Sequence, residues 1–432
     1  MIKGRVDIIS LGCSKNLVDS ERLMARFKKA GFAVFNDAEK VRGEIVVINT
    51  CGFIGDAKEE SVNTILEVSA MKKRRLVGRV FVMGCLSERY RKELQQEIPE
   101  VDGWYGKFDW NGILDCCTEK NSLCGEWERE LITPKHYAYL KIAEGCDRSC
   151  SYCAIPLIVG KYKSRMLEDV LDEARQLAQK GVRELELIAQ DLTYYGLDLT
   201  HKNMLPELVE KISEIDGIRW IRLHYAYPTH FPYDLLKVMR KNPKVCPYLD
   251  VALQHCSNHI LGLMRRNIDK QQTIEFVKRL RSEVPGIGLR TTLMVGHPGE
   301  TEEDFNELVD FVREMRFERM GAFAYSEEEG TYSALHYKND VSDYEKQRRL
   351  SMLMEVQQSI SEEVNRARIG TMTDVLIDRE EDDWFVGRTG WDSPEVDCEV
   401  FVEKAEGIET GEIYKTEITD ASEFELFGRI IR

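Results

Sequence analysis

The sequence predicts an α/β protein of three consecutive units. An N-terminal open parallel α/β unit spans residues 1–128, a central partial (β/α)6 barrel with its following helix spans 136–368, and a small antiparallel β-barrel spans 369–432. Three observations carry this. Short β-rich runs alternate with amphipathic helical stretches, as parallel sheets with crossover helices require. The alternation restarts after a poorly patterned linker at 115–135 that contains a Thr-Pro pair. The last segment loses helical periodicity and becomes short strands parted by Gly, Asp, Ser-Pro and Glu-Gly turns.

The first unit has expected strands at 6–11, 44–49 and 79–83, with helices at 19–29, 56–73 and 87–96. The central unit has expected strands at 139–143, 184–189, 220–225, 249–253, 289–295 and 320–325. Helical patterns at 168–179, 273–281 and 302–313 fall between them. Such repeated β/α units place functional residues at the C-terminal ends of the strands. A long polar helix at 342–369 leads to expected strands at 371–377, 384–389, 398–402 and 412–419.

Composition narrows the class. The chain is 43% hydrophobic and 31% charged, as globular proteins are, and no apolar run is long enough to span a bilayer. The apolar stretch near the N-terminus is short and reads as a first strand, not a signal peptide. A cytoplasmic location follows by default, and with it reduced thiols, so the 12 cysteines are not a disulfide framework. The net charge is −15. From Gly370 to Arg432 there are 18 acidic against 6 basic residues, so the acidity concentrates in the last unit. Such a module repels phosphate and attracts a basic protein.

Cys146, Cys150 and Cys153 form a C-x-x-x-C-x-x-C triplet just after the first central strand. Three thiolates in one short loop can wrap one face of a 4Fe-4S cluster. Clusters that only carry electrons normally use four Cys. Three ligands leave one iron open, by the logic of a catalytic metal site. An open iron can chelate the amino and carboxylate groups of S-adenosylmethionine, and one electron then breaks its sulfonium bond. Zinc is the alternative reading. It needs a fourth Cys or His at finger spacing, whereas Ala-Ile-Pro-Leu-Ile follows and His136 lies beyond a predicted strand. Tyr152 reads either as packing under the loop or as an aromatic lid beside the cluster. The stretch Glu144 to Cys153 and the six β/α units resemble the radical S-adenosylmethionine superfamily.

Cys13, Cys51 and Cys85 obey no local spacing, yet each follows a predicted strand: ISLGC, VINTC and FVMGC. Ligands of open parallel sheets bind beyond the carboxyl ends of strands, so three such ends can gather three thiols. The alternative is three buried structural cysteines. Gly12, Gly52 and Gly84 adjoin them and let the backbone turn closely. A second 4Fe-4S cluster there, facing the first, implies insertion of sulfur into a carbon radical of the substrate.

That arrangement resembles the methylthiotransferases. The matching stretches are Ser10 to Glu21, Asn49 to Ile54 and Met83 to Leu86, and the tail resembles a TRAM domain. The KNLVDSE form after Cys13 and YLDVALQH at Tyr248–His255 resemble the branch acting on the β-carbon of an aspartate in the small-subunit ribosomal protein of the decoding centre. The tRNA-adenosine branch usually has GCQMN. Ser14, where the first branch commonly has Pro, and Cys256 after Gln254-His255 depart from the pattern without removing a ligand. The resemblance implies an external electron donor, a basic ribosomal protein partner rather than tRNA, and a monomer. A non-catalytic iron–sulfur or zinc protein remains the reading from another class.

Gln190-Asp191 ends the second central strand and reads either as a contact to the methionine part of the cofactor or as a cap. Gly296, in the turn Val295 to Thr301, permits close approach of a cofactor, although Glu300 to Asp304 also simply begin a helix. Gln254 and His255 end another strand, and a lone His is more often structural. Arg290 is expected to pair with acids. Cys116, Cys117, Cys124, Cys246 and Cys398 have no constellation. The acidic runs at 327–329 and 380–383 read as solvated faces. No catalytic residue is expected beyond the cluster ligands.

Overall fold

A computed structural model describes residues 3–118, 125 and 127–431, so Cys124 lies outside the described residues. β1 (Arg5–Ser10), β2 (Ala33–Asn36), β3 (Ile45–Thr50), β4 (Arg79–Gly84) and β5 (Gly103–Trp104) form a sheet in the order β2-β1-β3-β4-β5. Every pairing is parallel. β3 is buried throughout, since helices cover both faces. Val6, Ile8, Phe27 and Val47 belong to one core, and Val46, Ile48, Ile65 and Val80 to the other. α1 (Ser14–Lys29), α2 (Gly55–Lys73) and α3 (Cys85–Glu97) follow β1, β3 and β4. β2 and β5 were not expected from the sequence, because such short edge strands hold too few residues to show a period of two.

The central sheet begins with β6 (Tyr137–Lys141). A hairpin of β7 (Ala143–Glu144) and β8 (Lys163–Ser164) follows and brackets the loop at 145–162. β9 (Glu184–Ile188), β10 (Trp220–Ala226), β11 (Val245–Gln254), β12 (Gly288–Val295) and β13 (Arg319–Ala324) complete it in the order β13-β12-β11-β10-β9-β6. All five pairings are parallel. β6 and β13 lie at the edges, so the barrel is partial and open. Leu185, Leu187, Ile221, Leu223, Leu249 and Leu293 turn outward into the largest core. The alternate positions Glu184, Glu186, Arg222, His224 and Asp250 bury charge or polarity on the inner face.

The last unit is a closed barrel of β14 (Met372–Glu380), β15 (Trp384–Thr389), β16 (Glu399–Glu403), β17 (Ile413–Ala421) and β18 (Glu425–Ile430), in the order β14-β15-β16-β18-β17. Four pairings are antiparallel, and β16 with β18 is parallel. This barrel docks at the N-terminal ends of the central strands. Arg388 reaches Glu184 at 2.7 Å and Asp392 reaches Arg319 at 2.6 Å. Asp397 accepts from Tyr248 at 3.0 Å and pairs with Arg290 at 3.2 Å, as expected of that arginine. His136, the one zinc candidate, bonds Asp378 at 2.8 Å instead. Several acids of the tail are thus spent on internal pairing, and Glu381, Asp382, Asp383, Glu403, Asp420 and Glu425 remain exposed.

Two local expectations fail. Residues 115–135 are not only a linker: Arg129 is 2% exposed and pairs with Glu21 at 3.1 Å and Glu173 at 3.0 Å. Glu328 is not solvated. It is 3% exposed and holds Lys58 of α2 at 2.8 Å and Arg89 of α3 at 2.9 Å, tying the first unit to the loop after β13. An acidic run hides such partners because they lie far away in sequence.

Candidate functional site

Cys146, Cys150 and Cys153 hang on the loop between β7 and β8. The entry to that loop needs Gly145: its φ is +76°, and a Cβ there would collide with the Lys161 carbonyl. The Cys146 N–H donates to Gly160 O at 3.1 Å, closing the base of the loop, and Ser151 N–H donates to Met264 O at 3.0 Å, pinning it from within. Arg266 donates to the Cys150 sulfur at 3.5 Å and to Tyr152 Oη at 3.4 Å. Tyr227 lies between the Arg148 and Arg266 guanidiniums, 4.2 and 4.1 Å from its ring centre, with its hydroxyl 3.7 Å from Cys150 Sγ. Burial pushes the Cys146 thiol up to about 11 and Cys153 up to about 12. Metal uptake there displaces protons.

The second set sits on three adjacent strands of the first sheet, β1, β3 and β4. Cys13 caps α1 and Cys85 opens α3, so both thiols meet helix N-termini, which favour negative charge. A Cβ on Gly12 would lie 2.8 Å from Cys51 Cβ, and one on Gly52 would lie 2.6 Å from Leu86 N. Only glycines let the three turns close on one another. Cys51 is buried, Cys85 half-buried and Cys13 exposed at the mouth. Burial raises Cys51, and it raises Cys85 to about 12 against the pull of Lys107. For Cys13 desolvation pushes up, but Lys15 and Lys107 prevail and the net shift is downward.

Buried charges join the two sets. Asp19, one turn into α1, meets Lys107 at 2.7 Å and Lys141, the last residue of β6, at 2.5 Å. Lys141 also pairs with Glu144, two residues before Cys146. Leu17 and Val18 of α1 pack with Tyr137, Tyr139, Ile188 and Tyr225. The Lys15 ammonium stands 3.1 Å from the Tyr225 ring centre. The helix that Cys13 opens therefore packs against the C-terminal ends of the central strands. Each triplet is all cysteine, the side chain whose thiolate iron–sulfur clusters take. Among the described residues, no three His, Cys, Asp or Glu side chains form the shell of a single metal ion.

Comparison with known proteins agrees with this division. Residues 140–312 match the radical SAM superfamily, 5–106 the uncharacterized protein family UPF0004, and 369–431 the TRAM domain. The ribosomal protein uS12 methylthiotransferase RimO of Bacteroides thetaiotaomicron is 58% identical, over 100% of this chain and 99% of the relative. That of Parabacteroides distasonis is 56% identical over 100% of both. The chain belongs to the RimO family of radical S-adenosylmethionine methylthiotransferases. In fold, it also resembles the radical S-adenosylmethionine methyltransferase TsrM from Kitasatospora setae, with a TM-score of 0.53 at 16% identity over 77% of each chain.

In this RimO-family chain the remaining candidates separate. Gln190 donates to Glu144 at 3.2 Å, while its buried Oε1 has no partner. Asp191 caps the short helix Leu192–Tyr194 and pairs with Arg148 at 2.8 Å. Gly296 has φ +73°, and a Cβ there would strike the Lys346 stem of the long helix Asp343–Arg366, so that packing alone demands glycine. His255 is buried, with Nδ1 accepting from Ser257 N–H at 3.0 Å. Cys256 faces the Glu307 carbonyl at 3.4 Å. Sequence reasoning missed Arg266, Tyr227, Lys107 and Asp19. Lys141 had a visible signal, a lysine inside an otherwise apolar strand.

Proposed function

We propose that the chain places a methylthio group on the β-carbon of an aspartate of ribosomal protein uS12, using two 4Fe-4S clusters and S-adenosylmethionine. In this reading Cys146, Cys150 and Cys153 hold one cluster, and Cys13, Cys51 and Cys85 the second. S-adenosylmethionine sits beside the first, with Tyr152, Gln190 and the Gly296 turn as its contacts. When bound, these groups supply reductive carbon–sulfur bond cleavage and the sulfur to be inserted. The residues of the chain hold the geometry. Arg266 sets a cation against Cys150, and the Asp19 and Lys141 pair fixes one triplet relative to the other. What supports the reading is that each thiol triplet gathers at strand ends and that buried charge ties the two units together through Asp19, Lys141 and Glu144.

The boundaries 1–128, 136–368 and 369–432 then mark sulfur supply, radical generation and recruitment. The exposed acids of the last barrel favour a basic protein over tRNA. An external electron donor, a monomeric state and the cytoplasm complete the proposal.

Anaerobic reconstitution followed by iron and sulfide counting tests it, together with mass spectrometry of uS12. About eight irons per chain and a methylthiolated aspartate are expected. Four irons, or zinc, overturn the two-cluster reading. Tighter binding to tRNA than to uS12 at one salt concentration overturns the substrate.

A further inference from the structure

Lys107 lies beyond β5, outside every motif, and is 2% exposed. Its ammonium donates to Asp19 Oδ2 at 2.7 Å and to Asn16 Oδ1 at 3.3 Å. The same Asn16 oxygen accepts from the Cys85 thiol at 3.6 Å, and the Asn16 N–H holds the Cys13 carbonyl at 2.9 Å. One amide oxygen therefore separates a buried cation from a thiol of the N-terminal set. The backbone is equally fixed. Glu88, in the first turn of the helix that Cys85 opens, accepts the Lys107 N–H at 3.0 Å. A Cβ on Gly106 would meet the same carboxylate at 2.3 Å and push it aside.

Lys107, Asp19, Lys141 and Glu144 form a row with no net charge but with direction. Its positive end faces Cys13 and Cys85, and its negative end stands before Cys146. A charge held in a site shielded from water acts strongly on its neighbours.

We propose that Lys107 is an electrostatic positioning residue of the N-terminal site, and that it raises the reduction potential of the cluster held by Cys13, Cys51 and Cys85. This rests on the two-cluster reading. An electron delivered by an external reductant such as dithionite adds one negative charge to that cluster, and the fixed ammonium stabilises it.

The test uses the full chain carrying Cys146→Ala, Cys150→Ala and Cys153→Ala, reconstituted anaerobically so that only the N-terminal cluster is present. A dithionite titration followed by electron paramagnetic resonance reads its midpoint. Lys107→Met is expected to shift the midpoint negative, and Lys107→Arg to restore it. Asp19→Asn keeps the ammonium and removes its nearest anion, so the midpoint is expected to move positive. A purely structural role gives no such opposite pair. Unchanged midpoints with unchanged iron content overturn the proposal alone. If Lys107→Met fails to fold, an Asp19→Asn midpoint that stays or moves negative overturns it. A parent chain that takes up no iron overturns the two-cluster reading as well.

Discussion

The two thiol sets are held by different means. The central three ride on one loop, closed by Gly145 and pinned by backbone hydrogen bonds, beside the Arg266 guanidinium. The N-terminal three ride on three strand ends and meet the ammoniums of Lys15 and Lys107. One set is a property of a short segment, the other of a whole sheet. Damage should therefore separate them.

The largest effect is expected at the ligands. Cys150→Ala should reduce S-adenosylmethionine cleavage to background, read as 5′-deoxyadenosine release. Cys51→Ala should keep cleavage and lose the methylthio product. Product from Cys51→Ala would end the distinction between the sets. Next is the bridge between them. Asp19→Ala leaves two buried ammoniums without their shared carboxylate, a cost of about 3–5 kcal/mol in urea unfolding. A loss below about 1 kcal/mol would mean that the pair does not tie the units together.

The glycines act more gently and more selectively. At Gly84 φ is +101° and a Cβ would lie 2.5 Å from the Thr50 carbonyl. Gly84→Ala should cost about 1–3 kcal/mol and lower iron in the N-terminal site. Gly145→Ala should lower iron in the central one. Equal loss from both sites in either variant would contradict separate support.

Through histidine, mild acid acts on the central unit alone. Burial, against the pull of Asp304, lowers His255 to about 3 from an ordinary 6.5. The folded state prefers the neutral ring, so this stabilisation is complete above the ordinary value and fades as pH falls toward 3. At pH 5 the loss is about 2 kcal/mol, and His255→Asn should flatten that slope in denaturant titrations. An unchanged slope would remove His255 from the account. Residues 1–128 contain no histidine, so this source of acid sensitivity belongs to the central half.

The sequence made the strand ends visible because parallel strands are short apolar runs with abrupt stops. That sufficed to mark Cys13, Cys51 and Cys85 as candidates without any spacing rule. What stayed hidden was pairing at long range. Lys107 and Asp19 look like ordinary surface charges until β5 and α1 are packed together. Arg266 sits in a loop with no pattern and meets Cys150 only through folding. Glu328 was misread for the same reason: a charged residue in an acidic run reads as solvated when its partners lie on other elements.

The docking of the last barrel has a consequence for synthesis. Arg290 and Arg319 on the central strands find Asp397 and Asp392, and Glu184 finds Arg388, in a segment made near the end of translation. A nascent chain that has completed β13 still has charges on its inner face awaiting partners. The radical-generating half therefore matures last-to-first, sealed by residues that leave the ribosome after it. A chain cut short before β15 would leave Arg319 without its carboxylate, and Glu184 and Arg290 with only Arg222 and Asp250 inside the sheet, a ready signal for quality control.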